Sequence, residues 1–258
     1  MKTEEIISLP TAIQQSIRGI YANEKLATPT PAVIFAHGLG STRGGEKATA
    51  IADECARRGW AFAAFDFHGH GESDGTMLDL RGSRLLDDLD AMTQFLQERG
   101  HQTIFLIGSS MGGWATTWFA ALHPTSIKAC ALIAPSFRFL EWRRLNEATR
   151  KQWQTNGRLR IVNEWIDLEL EYGLHAEAND YPFANLCERF ATPCLLFHGM
   201  QDDTVPYAGS IEFAEQCAAA DLRLYLIKNG DHRLNTHKEF LARAACDFFQ
   251  ETLAESWD

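Results

Sequence analysis

Ile107-Gly108-Ser109-Ser110-Met111-Gly112-Gly113 is the stretch on which the reading of this chain turns. The apolar run Thr103 to Ile107 enters it with the composition of a strand, and the residues after it are compatible with a helix. A strand passing directly into a helix through G-x-S-x-G needs a sharp, strained turn that pushes the serine side chain out over the sheet edge. The residues two positions either side must then be small. Ser110 presents its Oγ there, and the start of the following helix aims backbone N–H groups and positive dipole at negative charge developing beside it.

Working outward, short apolar runs alternate with amphipathic stretches from Pro31 onward. Ala32 to Ala36, Trp60 to Phe65, Thr103 to Ile107, Ala129 to Ala134 and Cys194 to Phe197 have strand length and end at Gly, Pro or His. Such runs fit parallel strands buried on both faces. Leu222, Leu224 and Leu226 alternate with Arg223, Tyr225 and Ile227, which places the last strand nearer a sheet edge. Helical stripes lie between: Ala48, Ile51, Ala52 and Cys55; Leu85, Leu89, Met92 and Leu96; and Phe240, Leu241, Ala244 and Phe248. Ile6 to Tyr21 reads as an antiparallel hairpin leading into the sheet. The chain is expected to be one domain over residues 1–258.

Residues 137–190 break the alternation. Ile161, Trp165, Leu168 and Tyr172, and more weakly Trp142, Leu145, Thr149 and Trp153, follow helical spacing. A piece this long between two parallel strands predicts an inserted helical lid. Its charge is divided: residues 138–160 carry seven basic and two acidic side chains, and residues 161–189 carry one basic and seven acidic. Such a split ordinarily means that the two halves pair with each other or with water. The functional reading is that Arg143 and Arg144, with Trp142 and Trp153, meet an aromatic or anionic acyl group.

A nucleophilic serine needs a base, and the base needs an acid to hold its tautomer; on a strand-to-helix serine turn they follow in the order Ser, Asp or Glu, His. Among nine histidines, His232 lies just after the last apolar strand and before the last amphipathic helix, at the same sheet end as Ser110. His237 is the second choice. The strand before that one runs into His198-Gly199-Met200-Gln201-Asp202-Asp203, where either aspartate could reach an imidazole. The loop after the first parallel strand, His37-Gly38-Leu39-Gly40-Ser41, can bring backbone close to a reacting carbonyl. The backbone N–H groups of Leu39 and Met111 are the candidate oxyanion donors.

Bulk properties narrow the classes. With 24 Lys and Arg against 34 Asp and Glu among 258 residues, the net charge is −10, which disfavours nucleic acid or anionic lipid as a bulk partner. No run approaches the roughly 20 apolar residues of a membrane span, and no leader is visible, so the expected compartment is cytoplasmic. The six cysteines are scattered and read as reduced core residues. His68 and His70 in Phe67-His68-Gly69-His70-Gly71-Glu72 superficially suggest a metal site but lack further ligands at defined spacing.

Five motifs together resemble the α/β-hydrolase superfamily from about Pro31 to the C-terminus: His37-Gly38-Leu39-Gly40, Asp66 to Ser73, Gly108 to Gly113, His198 to Pro206, and Asp231-His232. The resemblance implies an α/β fold with a mostly parallel central sheet flanked by helices, and it selects Asp202 over Asp203 as the acid. It accounts for the His68/His70 loop without a metal or cofactor. Within the superfamily the chain is similar to small carboxylesterases of the feruloyl and cinnamoyl esterase type and to the acyl-protein thioesterase branch. The implied activity is serine hydrolysis of a small-molecule carboxylic ester through Ser110, Asp202 and His232. Thioester hydrolysis, a peptidase or C–C hydrolase on the same scaffold, and a non-catalytic ligand receptor are the alternatives. The sequence does not specify the oligomeric state.

Overall fold

The computed structural model describes residues 4–23, 30–143, 145–162 and 166–254. The chain opens with the antiparallel hairpin β1 (Glu4–Pro10) and β2 (Ser16–Ala22). It continues through β3 (Ala32–Ala36), α1 (Glu46–Arg58), β4 (Ala61–Phe65), α2 (Gly82–Glu98), β5 (Ile104–Ser109), α3 (Met111–Leu122) and β6 (Ala129–Ile133). The insertion holds α4 (Glu147–Asn156), β7 (Arg158–Val162), β8 (Asp167–Glu171), α5 (Gly173–Ala176) and α6 (Phe183–Arg189). The chain ends with β9 (Cys194–Gly199), α7 (Ala208–Gln216), β10 (Leu222–Ile227) and α8 (Lys238–Ala254).

Eight strands form one sheet in the order β1-β2-β4-β3-β5-β6-β9-β10. From β4 through β10 every neighbouring pair is parallel, and β2 joins β4 antiparallel. The strands β3, β4, β5, β6 and β9 are buried along their whole length, as their unbroken apolar runs require, and β10 is the partly exposed edge. Alternate residues feed two cores. Ala32, Ile34 and Ala36 face α2, α3 and the insertion, whereas Val33 and Phe35 face α1 and α8.

This order locates the site. The chain leaves β3 for β4 on one side, over α1, and returns to β5 on the other side of β3 by way of α2 on the opposite face. The carboxyl ends of β3 and β5 therefore diverge at a topological switch point, where open α/β sheets bind ligands. The Leu39 loop and Ser110 both start there.

The insertion departs from the expected helical lid over its middle. Ile161 and Leu168 lie on an antiparallel hairpin, paired directly across β7 and β8, and Trp165 falls outside the described residues. A short hairpin sets residues seven apart opposite each other on one face, and the same spacing recurs on one face of a helix. The period-two alternation of Arg158-Leu159-Arg160-Ile161 and Asp167-Leu168-Glu169-Leu170 carried the strand signal. Of the weaker stripe, α4 holds Thr149 and Trp153. In α8 the buried face is Leu241, Ala242, Ala245, Cys246, Phe248 and Phe249, so Phe240 and Ala244 flank it instead of forming its centre.

Candidate active site

The turn at Ser110 has the geometry its spacing implies. Ser110 sits between β5 and α3 at φ 54° and ψ −113°, a conformation that L residues rarely adopt. Its backbone N–H donates to the Ile133 carbonyl (3.0 Å), and its carbonyl accepts from the Ser136 N–H (3.1 Å), so the β6 end holds the strained residue from both sides. A methyl group on Gly108 would stand 2.4 Å from the Gly112 carbonyl, and one on Gly112 would stand 2.2 Å from the Ala36 carbonyl. The crossing of the turn over β3 thus leaves no room for a Cβ at either position.

His232 Nε2 lies 3.0 Å from Ser110 Oγ, and His232 Nδ1 lies 2.7 Å from Asp202 Oδ2. A carboxylate only accepts, so Nδ1 carries the proton and Nε2 turns its lone pair to the hydroxyl. The Asp202 loop after β9 and the His232 loop after β10 are stitched together. Met200 N–H donates to the Ile227 carbonyl (2.9 Å) and Gln201 N–H to the Gly230 carbonyl (2.9 Å), while a methyl on Gly199 would meet that same carbonyl at 2.2 Å. From α1, Lys47 Nζ donates to the Arg233 carbonyl (2.8 Å) and to Asn235 Oδ1 (3.1 Å), tying down the residue next to His232. Burial pushes the Lys47 amine down to about 8, with the Arg233 charge adding to it.

Asp202 is nearly buried. Its Oδ1 accepts the backbone N–H groups of Thr204 (2.9 Å) and Val205 (2.7 Å), and its Oδ2 faces both His232 and His198 Nε2 (3.0 Å). Burial alone would raise this carboxyl, but the hydrogen bonds from His198 and His232 outweigh it and hold the group well below the usual carboxylate range. Asp203 is exposed, beside the Thr204 hydroxyl, and His237 lies in the 3-10 turn Asn235–His237; neither enters this chain of bonds.

The loop after β3 lies against the serine, since a methyl on Gly38 would be 3.2 Å from Ser110 Cβ. His37 fixes that loop: its Nδ1 donates to the Gly38 carbonyl (2.8 Å) and its Nε2 accepts the Phe67 N–H (3.1 Å). Burial, then the neighbouring His70, drive the His37 pKa down to about 3, so it stays neutral and keeps both bonds. Met111 follows Ser110 at the first position of α3, and Leu39 follows Gly38 in this loop. His68 Nδ1 faces the buried Asp88, and His70 Nδ1 donates to the His68 carbonyl (3.1 Å). Among the described residues no three His, Cys, Asp or Glu side chains cluster as metal ligands would. A cavity of about 520 Å³ opens between β2 and α1, lined by Ile20, Arg43, Ala52, Trp60 and Phe62 among others, and touches none of the residues around Ser110.

Comparison with known proteins agrees with this fold. Residues 27–163, just over half of the chain, match the hydrolase family described as serine aminopeptidase, S33. The chain belongs to that family. Among its relatives is the bovine palmitoyl-protein thioesterase ABHD10, mitochondrial, 29% identical over 218 residues that cover 83% of this chain and 70% of the relative. The mouse protein of the same name is also 29% identical, over 83% and 72%. Mouse alpha/beta hydrolase domain-containing protein 10 superposes with a TM-score of 0.82 at 25% identity, covering 96% of this chain and 99% of its own. Est1E from Butyrivibrio proteoclasticus with ferulic acid bound shares the fold, with a TM-score of 0.80 at 21% identity over 96% and 99%.

In this S33 hydrolase the insertion has its own packing. Trp153 is 1% exposed, donates its indole N–H to the Leu170 carbonyl (3.2 Å) and stacks on His175, so it forms the insertion's core. Trp142 is half-buried against Phe139 and Trp153. Arg143 is exposed and paired with Glu141 (2.5 Å), and Arg144 lies outside the described residues. Part of the charge split follows strand pairing: Arg160 bonds Asp167 (2.6 Å) and Arg158 bonds Glu169 (3.4 Å) across the hairpin, while Arg138 meets Glu212 on α7 (2.7 Å), outside the insertion. The insertion is anchored over the site. Ser83 at the start of α2 donates to Glu177 (2.7 Å), and a methyl on Gly40 would meet Ile166 Cγ2 at 2.6 Å.

All six cysteines stand unpaired, five of them buried and Cys217 partly exposed. Among the described residues no helix is long and apolar enough to cross a membrane. The residue that sequence reasoning passed over is His198. It stood inside a motif read only for its aspartates, and the spacing of four residues to Asp202 was the signal available.

Proposed function

We propose that the protein is a serine acyl hydrolase that cleaves small-molecule carboxylic esters or thioesters through an acyl-enzyme on Ser110. The observation that carries this reading is the continuous Ser110–His232–Asp202 chain, at 3.0 and 2.7 Å, on a strained strand-to-helix turn. His232 Nε2 takes the hydroxyl proton as Ser110 Oγ attacks the acyl carbonyl, and Asp202 stabilises the imidazolium that forms. The Leu39 and Met111 N–H groups receive the oxyanion, each contributing on the order of a hundredfold in rate. The His232 proton then goes to the leaving alcohol or thiol, and water repeats the sequence to release the acid. Trp142 is the insertion residue we assign to the acyl group.

A thioester is favoured as the leaving side by the relatives named palmitoyl-protein thioesterase at 29% identity. Acyl esters and the matching acyl thioesters, from acetyl to palmitoyl and hydroxycinnamoyl, decide between the two by kcat/KM. Ser110→Ala should lower either activity by about 10³-fold or more. Equal rates in wild type and Ser110→Ala would leave a ligand receptor of the same fold, and cleavage confined to peptide or C–C substrates would replace the acyl hydrolase reading. The cytoplasmic compartment rests on the sequence, while the relatives are named as mitochondrial; fractionation of cells with an antibody to this protein settles it.

A further inference from the structure

His198 is fully buried at the end of β9, and both partners of its Nε2, Asp202 Oδ2 (3.0 Å) and the Val205 carbonyl (3.0 Å), can only accept. Nε2 therefore carries a proton. On the other side of the ring, Nδ1 lies 2.7 Å from the hydroxyl of Ser210, itself fully buried on α7. In the neutral ring that hydroxyl donates to Nδ1 and locks the tautomer that points N–H at the carboxylate.

Asp202 consequently receives four hydrogen bonds, two backbone N–H groups on Oδ1 and two imidazole N–H groups on Oδ2. Four is the number of lone-pair sites a carboxylate offers. The acid can neither rotate nor take up a proton without breaking one of them. From this geometry we infer that His198, its tautomer set by Ser210, is a positioning residue that orients Asp202 and shares its charge, so that His232 stays aligned on Ser110. The inference rests on the proposed serine hydrolase chemistry.

The test measures the rate of covalent labelling of Ser110 by a fluorophosphonate as a function of pH, which needs no knowledge of the substrate. In His198→Ala, Asp202 Oδ2 loses a donor and turns its full charge on His232, favouring the imidazolium. The labelling rate should fall about tenfold, and the acid limb of its pH profile should move up by about half a pH unit. His198→Gln, whose amide N–H can reach the same oxygen while its carbonyl accepts from Ser210, should restore most of both. Ser210→Ala, which releases the tautomer, should shift the profile in the same direction by less. If His198→Ala fails to give folded protein, His198→Gln and Ser210→Ala carry the test. An unshifted acid limb in the folded variants, or no restoration by glutamine over alanine, would overturn the role of His198. Failure of the wild-type protein to label at all would instead overturn the serine hydrolase reading.

Discussion

Ser110 holds a left-handed backbone, and its hydrogen bonds to the Ile133 carbonyl and from the Ser136 N–H tie it to β6 and the segment after it. The cost of that conformation, on the order of 1–3 kcal/mol, is offset by the fully buried sheet centre on which the Ser110 turn sits. The same economy governs the buried polar residues: His37, Asp202 and His198 each have a defined donor or acceptor on two sides. Asp202 has the clearest pH consequence. Its folded-state pKa lies below the unfolded value, so its contribution to stability is complete above the ordinary carboxylate range and is lost as pH falls through the folded value. The difference in Tm between wild type and Asp202→Asn should therefore be largest near neutral pH and narrow as pH falls below about 4. A gap that widens on acidification would contradict this. Ser110 and His232 were readable in the sequence because each follows a strand end, and the resemblance selected Asp202 over Asp203; the inward orientation of the Asp202 carboxylate is fixed by hydrogen bonds from the Thr204 and Val205 N–H groups.

At the scale of elements, the loops after β9 and β10 act as one unit, because Gly199 and Gly230 touch backbone to backbone. Gly199→Ala should force the acid and base loops apart and lower kcat roughly a hundredfold, while circular dichroism stays that of the folded protein. The insertion is a second unit, held by Trp153 within and by Glu177 and Glu212 at its margins. Trp153→Ala should cost about 3–5 kcal/mol of local packing, read as faster proteolysis between α4 and α5 before the central sheet unfolds. The strands β3, β4, β5, β6 and β9 were legible as apolar runs because both of their faces are buried. The hairpin of β7 and β8 was not, because Ile161 and Leu168 meet the helical and the hairpin spacing equally. The difference lies in backbone hydrogen bonds to a partner that sequence spacing does not display.

For the whole molecule, the two cores share one sheet, and their helices close it from opposite sides. Phe105 on β5 stacks on Phe249 of α8 at 4.3 Å, linking the last helix to the strand that carries Ser110. Phe105→Ala should lower stability by about 3–5 kcal/mol in a single cooperative thermal transition. Separate transitions for α8 and the sheet would show that the chain is not one unit. The net charge of −10 said little about this assembly, since its two oppositely charged stretches lie partly on adjacent strands and neutralise each other locally. The sequence by itself determined the alternation of strands and helices, the strained turn at Ser110, and the chain order of serine, acid and histidine. These are local: composition and spacing dictate them through burial, sterics and turn chemistry. The tertiary structure alone decided that α1 and α2 lie on opposite faces of the sheet and open the switch point at Ser110, that Arg158 and Arg160 meet Glu169 and Asp167 across the β7–β8 hairpin, and that His198 shares Asp202 with His232. Those depend on which distant segments meet, and only the assembled sheet brings them within hydrogen-bonding distance.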